Sequence, residues 1–420
     1  MRQALNARLQ PPYLRLLALA VLVMGCGLAV FNYSTARGGV SQTGIPWGAD
    51  FAGFFVAGQI LDAGETARLY DRTMHAEYYH RLLPALPKDE VIPYVHPPFV
   101  AGVMRWLTAM PYELAVWVWM LLTLGLYIAG VLLVLKHCPE LQSHRWLVLL
   151  LALSFEPFLF ECWLGGQLSA IGFFSFSLCY HFIKSGKPVL AGLALGLCFY
   201  KPTLLLLLLP MLIISLQWQL LLGMALTGLL YVALSLLMVG WDCTLGYLDV
   251  LLAFRQQSSG ADEFVIRHWK YVDINHFYHS ALGKTSAKTV AFGITTLFLF
   301  VPLAVFWWRR RRNITNQLWA STLFLIPVIN LYFGIYDAIL VVQAVMIVTA
   351  IVLRHNSGKL LGSDWDWCLL ALALVPWFAQ SLARYYGLQL MTVVLVGCAA
   401  FAALHRLTQP AASGNGESPG

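Results

Sequence analysis

Twelve apolar runs, parted by polar joints of very different length, set the folding problem for this chain. They lie near 13–33, 112–135, 146–163, 167–183, 188–200, 203–216, 218–239, 287–308, 317–333, 336–353, 366–384 and 388–406. A helix that crosses a bilayer needs roughly 20 mostly apolar residues. Hydrophobic residues make up 59% of the 420, charged residues only 11%, and mean hydropathy is +0.70. A soluble domain carries roughly twice that share of charge. The chain therefore reads as an all-α polytopic membrane protein. Several runs are short for a full crossing, so the expected count is about ten to twelve transmembrane helices.

The polar joints carry the orientation. Lysine and arginine concentrate at 136–145, 184–187, 309–312 and 354–359, and basic residues beside a span mark its cytoplasmic side. Both termini then fall inside. Four joints fall outside: an insert at 34–95, "EPFLFECWLGGQ", the loop 240–285, and "NLYFGIYD". This arrangement requires that 96–110 lies in the interface and that 188–216 breaks at "YKPT". A rival, with 96–110 spanning and 188–216 as one kinked helix, leaves two basic loops outside. Residues 1–408 form one integral-membrane domain, with 34–95 and 240–285 as its large extracytoplasmic loops. The first apolar stretch is too long for a signal peptide and reads as an uncleaved span. The polar, small-residue tail 409–420 is expected to be disordered in the cytoplasm.

Composition also excludes. The net charge of +7 sits in clusters such as "WWRRRR" at 307–312, not along a basic stripe, so no nucleic-acid partner is expected. The eight cysteines contain no CxxC pair, and most lie in or beside apolar runs, where cysteine behaves as a small hydrophobe. Neither a metal site nor a redox pair is indicated. No pair of matching broken helices occurs in the two halves, which counts against a transporter of inverted-repeat design.

The chemistry-bearing residues gather on the outer side. Asp50 opens "DFAGFFVAGQIL", where Phe51, Phe54, Phe55, Gly58 and Leu61 share one helical face. An amphipathic helix lying on the outer membrane surface is expected there. Asp50 itself suits a helix N-cap, and such a position also aims backbone N–H groups at an anion. In "YVHPPF", Tyr94 and His96 precede two prolines that fix an extended approach to the next apolar segment. His96 at that boundary either bonds a phosphate or is simply solvated. Polar groups among apolar runs are costly and mark candidate sites: Gln167 in "GGQ", Lys201 in "YKPT", and Tyr336 and Asp337 in "YD". Interfacial anchoring is the plain alternative for each. Loop 240–285 adds Arg255, Lys270, Asn275 and His276, as an anion-binding set or as a solvated cover.

The ordered set "D-F…G…LYD", "PPF" opening a span, "EP…GGQ", "AGLALGLCFYKPTLLLLLP" and a late "YD" resembles glycosyltransferase family 87, over roughly residues 31–340. These are integral-membrane enzymes of the GT-C superfamily, similar to polyprenyl-phosphate-mannose-dependent mannosyltransferases of bacteria. The resemblance implies a GT-C-like helical bundle in a bacterial inner membrane, with its active site facing the periplasm. It also implies a polyprenyl-phosphate sugar donor and an inverting transfer to a glycolipid or envelope-glycan acceptor, without a cofactor. Asp50 matches the family's first-loop aspartate, the general base on the acceptor hydroxyl. A poor nucleophile gains from a placed carboxylate, and the phosphate leaving group from cationic donors. Lys201, His96, Arg255 and Lys270 are candidates for the donor phosphate. Gln167, Asp337, Tyr336, Tyr94, Asn275 and His276 are candidates for substrate hydroxyls. Two other functions fit the residues: a secondary transporter of an amphipathic or anionic solute, or a non-catalytic partner in envelope polysaccharide assembly.

Overall fold

The computed structural model describes residues 11–87, 91, 94–257, 267–355 and 364–404. The tail 409–420 lies outside the described residues, and the side chain of Arg255 is not among those described. Sixteen α-helices occur in the described residues: α1 Pro11–Thr35, α2 Phe51–Asp62, α3 Arg72–Leu82, α4 Pro98–Met104, α5 Tyr112–Leu135, α6 Arg145–Leu153, α7 Ser169–Lys184 and α8 Pro188–Gly196. They continue with α9 Leu208–Ile214, α10 Trp218–Gln257, α11 Ile274–Leu282, α12 Ser286–Arg309, α13 Asn316–Val328, α14 Leu340–His355, α15 Trp365–Tyr386 and α16 Leu390–Leu404. No strand occurs among the described residues, only isolated bridges. The protein is an all-α polytopic membrane protein.

All twelve apolar runs are helical, but they are not equal. Six helices are long and apolar enough to cross a membrane, and a seventh is counted if the pair Pro139–Leu153 and Pro157–Trp163, bent by 49°, is one span. That count falls below the ten to twelve expected, because apolar helices such as Pro188–Tyr200, Pro202–Ile214 and Leu390–Leu404 are only 10–17 residues long. Pro202 breaks the run at 188–216, leaving Lys201 in an extended conformation (φ −143°) between two 3-10 turns. Gly240, at φ 78°, breaks α10. Beyond it Trp241, Leu245, Leu248 and Leu252 form an exposed stripe at helical spacing.

The helix α2 corrects an expectation. Instead of lying on the surface with one face in lipid, it is buried from Phe51 to Gly58 and again at Ile60 and Leu61, packed by α3 and α4. Its sequence is apolar on every side, and such a helix belongs inside. The following turn is held by Asp71, whose carboxylate caps α3 by accepting from Thr73 N at 2.8 Å and Met74 N at 3.2 Å.

The bundle has two chemically different ends. At one, the basic joints meet: His137 and His181 are hydrogen-bonded at 2.9 Å, Arg354 pairs with Glu140 at 2.6 Å, Tyr180 donates to Asn316 at 3.1 Å, and Gln217 donates to the Arg311 carbonyl at 2.6 Å. Helices α5 and α7 and the span Ile335–His355 each run from the other end to this one. The 16 residues of α7 alone separate the ends by about 24 Å. The two short limbs Pro188–Tyr200 and Pro202–Ile214 start and finish at the basic end, so Lys201 is the tip of a helical hairpin reaching toward the opposite face.

Candidate functional site

Opposite the basic joints, two tight turns lock together around Asp50. Gly48 (φ 76°) and Ala49 (φ 46°) turn the chain into α2, and Ala49 there is a strained non-glycine residue. Asp50 donates its N–H to the Gly165 carbonyl at 3.1 Å. Gln167 Nε2 donates to the Asp50 carboxylate, and Trp119 Nε1 donates to the Gly166 carbonyl at 3.1 Å. Gly166 stands at φ 68°, where a Cβ would come within 2.8 Å of Phe51 N. Gly166 is therefore required by contact between two backbones, and Gly165 by the carbonyl of Glu161 in the turn before it. The Asp50 carboxylate makes no capping bond to α2. It is held from outside, by the side chain of Gln167.

The second cluster joins the hairpin tip to the start of α14. Lys201 Nζ pairs with Asp337 Oδ2, and Ser169 Oγ donates to Asp337 Oδ1 at 2.6 Å. The Lys201 ammonium also lies 4.6 Å from the Tyr336 ring centre. Asp337 is 1% exposed with both oxygens engaged, as the counter-ion of Lys201. Lys201 keeps 17% of its side chain exposed and has donors beyond the one given to Asp337. His96 lies against the same hairpin tip. Its Nδ1 donates to the Tyr200 carbonyl at 3.1 Å, which steadies the backbone just before Lys201. Burial, with the nearby Lys201 charge, pushes its pKa down to about 4. Tyr94 is 5% exposed, donates its hydroxyl to the Pro97 carbonyl at 3.1 Å, and stacks on Tyr70 and His75, so it supports the loop.

The segment 267–282 lies across this face. His276 is buried and bonded through Nδ1 to Asp273 at 2.9 Å, while Asp273 also accepts from Phe333 N at 2.9 Å. That carboxylate stitches the segment to residues 331–334, and His276 is part of the seam. Asn275 Nδ2 donates to the Leu331 carbonyl at 3.2 Å in the same seam. Lys270 faces Glu161 Oε2 at 3.9 Å, and Gln380 Nε2 donates to Glu161 Oε1 at 2.6 Å. Among the described residues, no group of three or more His, Cys, Asp and Glu is arranged to hold a metal.

The family model of glycosyltransferase family 87 matches residues 94–331, more than half of the chain. The chain belongs to glycosyltransferase family 87. No curated protein and no solved structure matches it. The match embraces His96, Glu161, Gln167, Lys201 and Lys270, whereas Asp50 precedes it and Asp337 follows it. This family 87 protein is thus a membrane glycosyltransferase.

In this glycosyltransferase the structure brings Asp50 and Gln167 into direct contact, and Lys201 with Tyr336 and Asp337. Burial holds the Asp50 carboxyl above the ordinary carboxylate range. Lys270 opposes that rise most strongly, Glu161 adds to it, and Arg267 and Lys201 oppose it. The result is a carboxylate with raised proton affinity ringed by three cations. Glu161 was missed in reading the sequence. Its signal was present in "EPFLFECWLGGQ", as a charged residue four positions before the paired glycines. Its partners lie 109 and 219 positions away, beyond any local pattern.

Proposed function

We propose that this family 87 enzyme is an inverting GT-C glycosyltransferase of a bacterial inner membrane, with its site on the periplasmic side. It moves a hexose, mannose being the leading choice, from a polyprenyl-phosphate donor to a glycolipid or envelope-glycan acceptor. The acceptor hydroxyl oxygen bonds to the anomeric carbon as the bond from that carbon to the phosphate oxygen breaks on the opposite face. Asp50 takes the hydroxyl proton, and the polyprenyl phosphate leaves with the bonding electron pair.

The observation that carries this reading is Asp50 itself. It is a partly exposed carboxylate of raised proton affinity, fixed by Gln167 and the Gly165 carbonyl, and it sits among Lys270, Arg267 and Lys201. A base works best when its pKa approaches the working pH, and the surrounding cations suit a phosphate leaving group. Lys201 is the residue assigned to that phosphate, pre-oriented by Asp337 and Tyr336. A lipid-borne donor is supported by Leu206, Leu209 and Ile213, which form an exposed apolar stripe along the hairpin limb that starts at Lys201. The outward orientation is supported by the basic joints gathered at the opposite end.

The test is Asp50→Asn in the full-length protein, with membrane level and insertion matched to the parent. Transfer from polyprenyl-phosphate mannose, with envelope glycolipids scored by mass spectrometry, is expected to fall by roughly 10²–10⁴-fold. Transfer at the parent's rate would falsify the assignment of the base.

A further inference from the structure

Glu161 occupies a π-helical turn, Pro157–Trp163, four residues ahead of the carbonyl that receives the Asp50 N–H. Such turns recur at functional sites. Its carboxylate is shared between two other elements: Gln380 of α15 donates to Oε1, and Lys270 of the segment 267–282 faces Oε2. The peptide that carries Lys270 is already pinned. Gln389 Nε2 donates to the carbonyls of Trp269 and Tyr271 at 3.2 and 2.9 Å, and Thr392 Oγ1 donates to that of Val272 at 2.7 Å. Val272 N donates to the Phe333 carbonyl at 2.9 Å. What those bonds leave unset is the flexible stem of Lys270, still 36% exposed, and Glu161 is the acid that meets its ammonium.

We propose that Glu161 is a positioning residue for the transfer: anchored by Gln380, it fixes a negative charge at the recess of Asp50, against the opposing charge of Lys270. The assignment rests on Asp50 as the base. The groups that act on Asp50 are Gln167 by its hydrogen bond, Lys270, Arg267, Lys201 and Glu161 by charge, and the phenols of Tyr79 and Tyr336. Around Glu161 stand Lys270, Gln380, Glu156, Asp50 and Tyr336. The two partners therefore act on the base with opposite sign. Lys270 favours the ionised carboxylate, and Glu161 disfavours it. The pair is long and partly solvated, so its loss leaves folding nearly unchanged. Glutamine at 161 still accepts from Gln380 and lacks only the charge.

The measurement is a pH titration of the Asp50 carboxyl band by infrared difference spectroscopy on the full-length protein in nanodiscs, with Asp50→Asn as the reference for subtraction. In Glu161→Gln the midpoint is expected to fall by roughly half to one pH unit, and in Lys270→Met to rise by a similar amount. The acid limb of transfer from polyprenyl-phosphate mannose should move in the same two directions. Midpoints that stay at the parent's value, or that move together, overturn the assignment. An Asp50→Asn protein that still transfers sinks the base reading. A dead Asp50→Asn protein with unmoved midpoints sinks the Glu161 assignment alone.

Discussion

Two aspartates that look alike along the chain do different work at the residue scale. Asp50 and Asp337 each lie at the head of an apolar segment on the same face, and nothing local separates them. Their partners do. Asp337 has Ser169, 168 positions away, and Lys201, 136 positions away, whereas Asp50 has one side-chain donor, Gln167, and remains partly exposed. Candidate positions were thus legible in the sequence, because a polar group among apolar runs must have a reason to be there. Roles were not, because a role is set by which distant group comes to meet it. The same holds for His96, Tyr94 and His276, whose polar atoms are used by carbonyls and a carboxylate of the fold. The Lys201–Asp337 pair gives a direct test. Removing one partner of a buried pair leaves an uncompensated charge, so Asp337→Leu is expected to destabilise the protein by about 2–4 kcal/mol. The double variant Lys201→Met with Asp337→Leu should regain much of that stability in thermal unfolding but no transfer activity. Equal stability of Asp337→Leu and the parent would show that the pair does not couple.

Elements explain why the site is rigid. The turn at 48–50 and the turn at 165–167 touch backbone to backbone, and each depends on the other's shape. The apolar runs located the long helices and the proline of "YKPT" located the break at Lys201, whereas Arg72–Leu82, Ile274–Leu282 and the part of α10 beyond Gly240 lie in stretches that read as loops. Periodicity misplaced α2, because the face picked out by Phe51, Phe54, Phe55, Gly58 and Leu61 is only part of a helix that is apolar all round. The tertiary reason for Gly166 was also invisible: the groups that forbid a side chain there are the Gly48 carbonyl oxygen and Phe51 N, from another segment. Gly166→Ala therefore carries two costs. The residue stands at φ 68°, which costs a non-glycine residue roughly 1–2 kcal/mol, and its Cβ would press on a main-chain nitrogen that has no rotamer to change. The expected outcome is a clear drop in melting temperature and at least a tenfold loss of transfer, through displacement of Gln167 and Asp50. Gly64→Ala, also at positive φ but with open space around it, is the control. It should lose stability to backbone strain alone and keep its transfer rate.

Across the whole molecule, charge and chemistry are sorted to opposite ends of one helical bundle. The hairpin 188–216 makes the sorting compulsory. Its limbs have 13 residues each, about 20 Å when helical, too short for a full crossing yet long enough to carry Lys201 from the basic end to the site. If 188–216 were one kinked span, Lys187 and Gln217 would emerge on opposite faces. In the structure they share one, because Gln217 donates to the carbonyl of Arg311 in the basic cluster. The positive-inside rule then predicts which compartment each end meets. Single cysteines at 187 and 311, on a background lacking the native ones, should resist a membrane-impermeant maleimide in intact spheroplasts and react once the membrane is opened. A cysteine in place of the exposed Glu65, on the site face, should react in both. Labelling of 187 and 311 from outside would invert the molecule and place Asp50 in the cytoplasm. A lipid-linked donor would then have to be used on the inner leaflet, and the proposal of a periplasmic transfer would fail with the topology that motivates it.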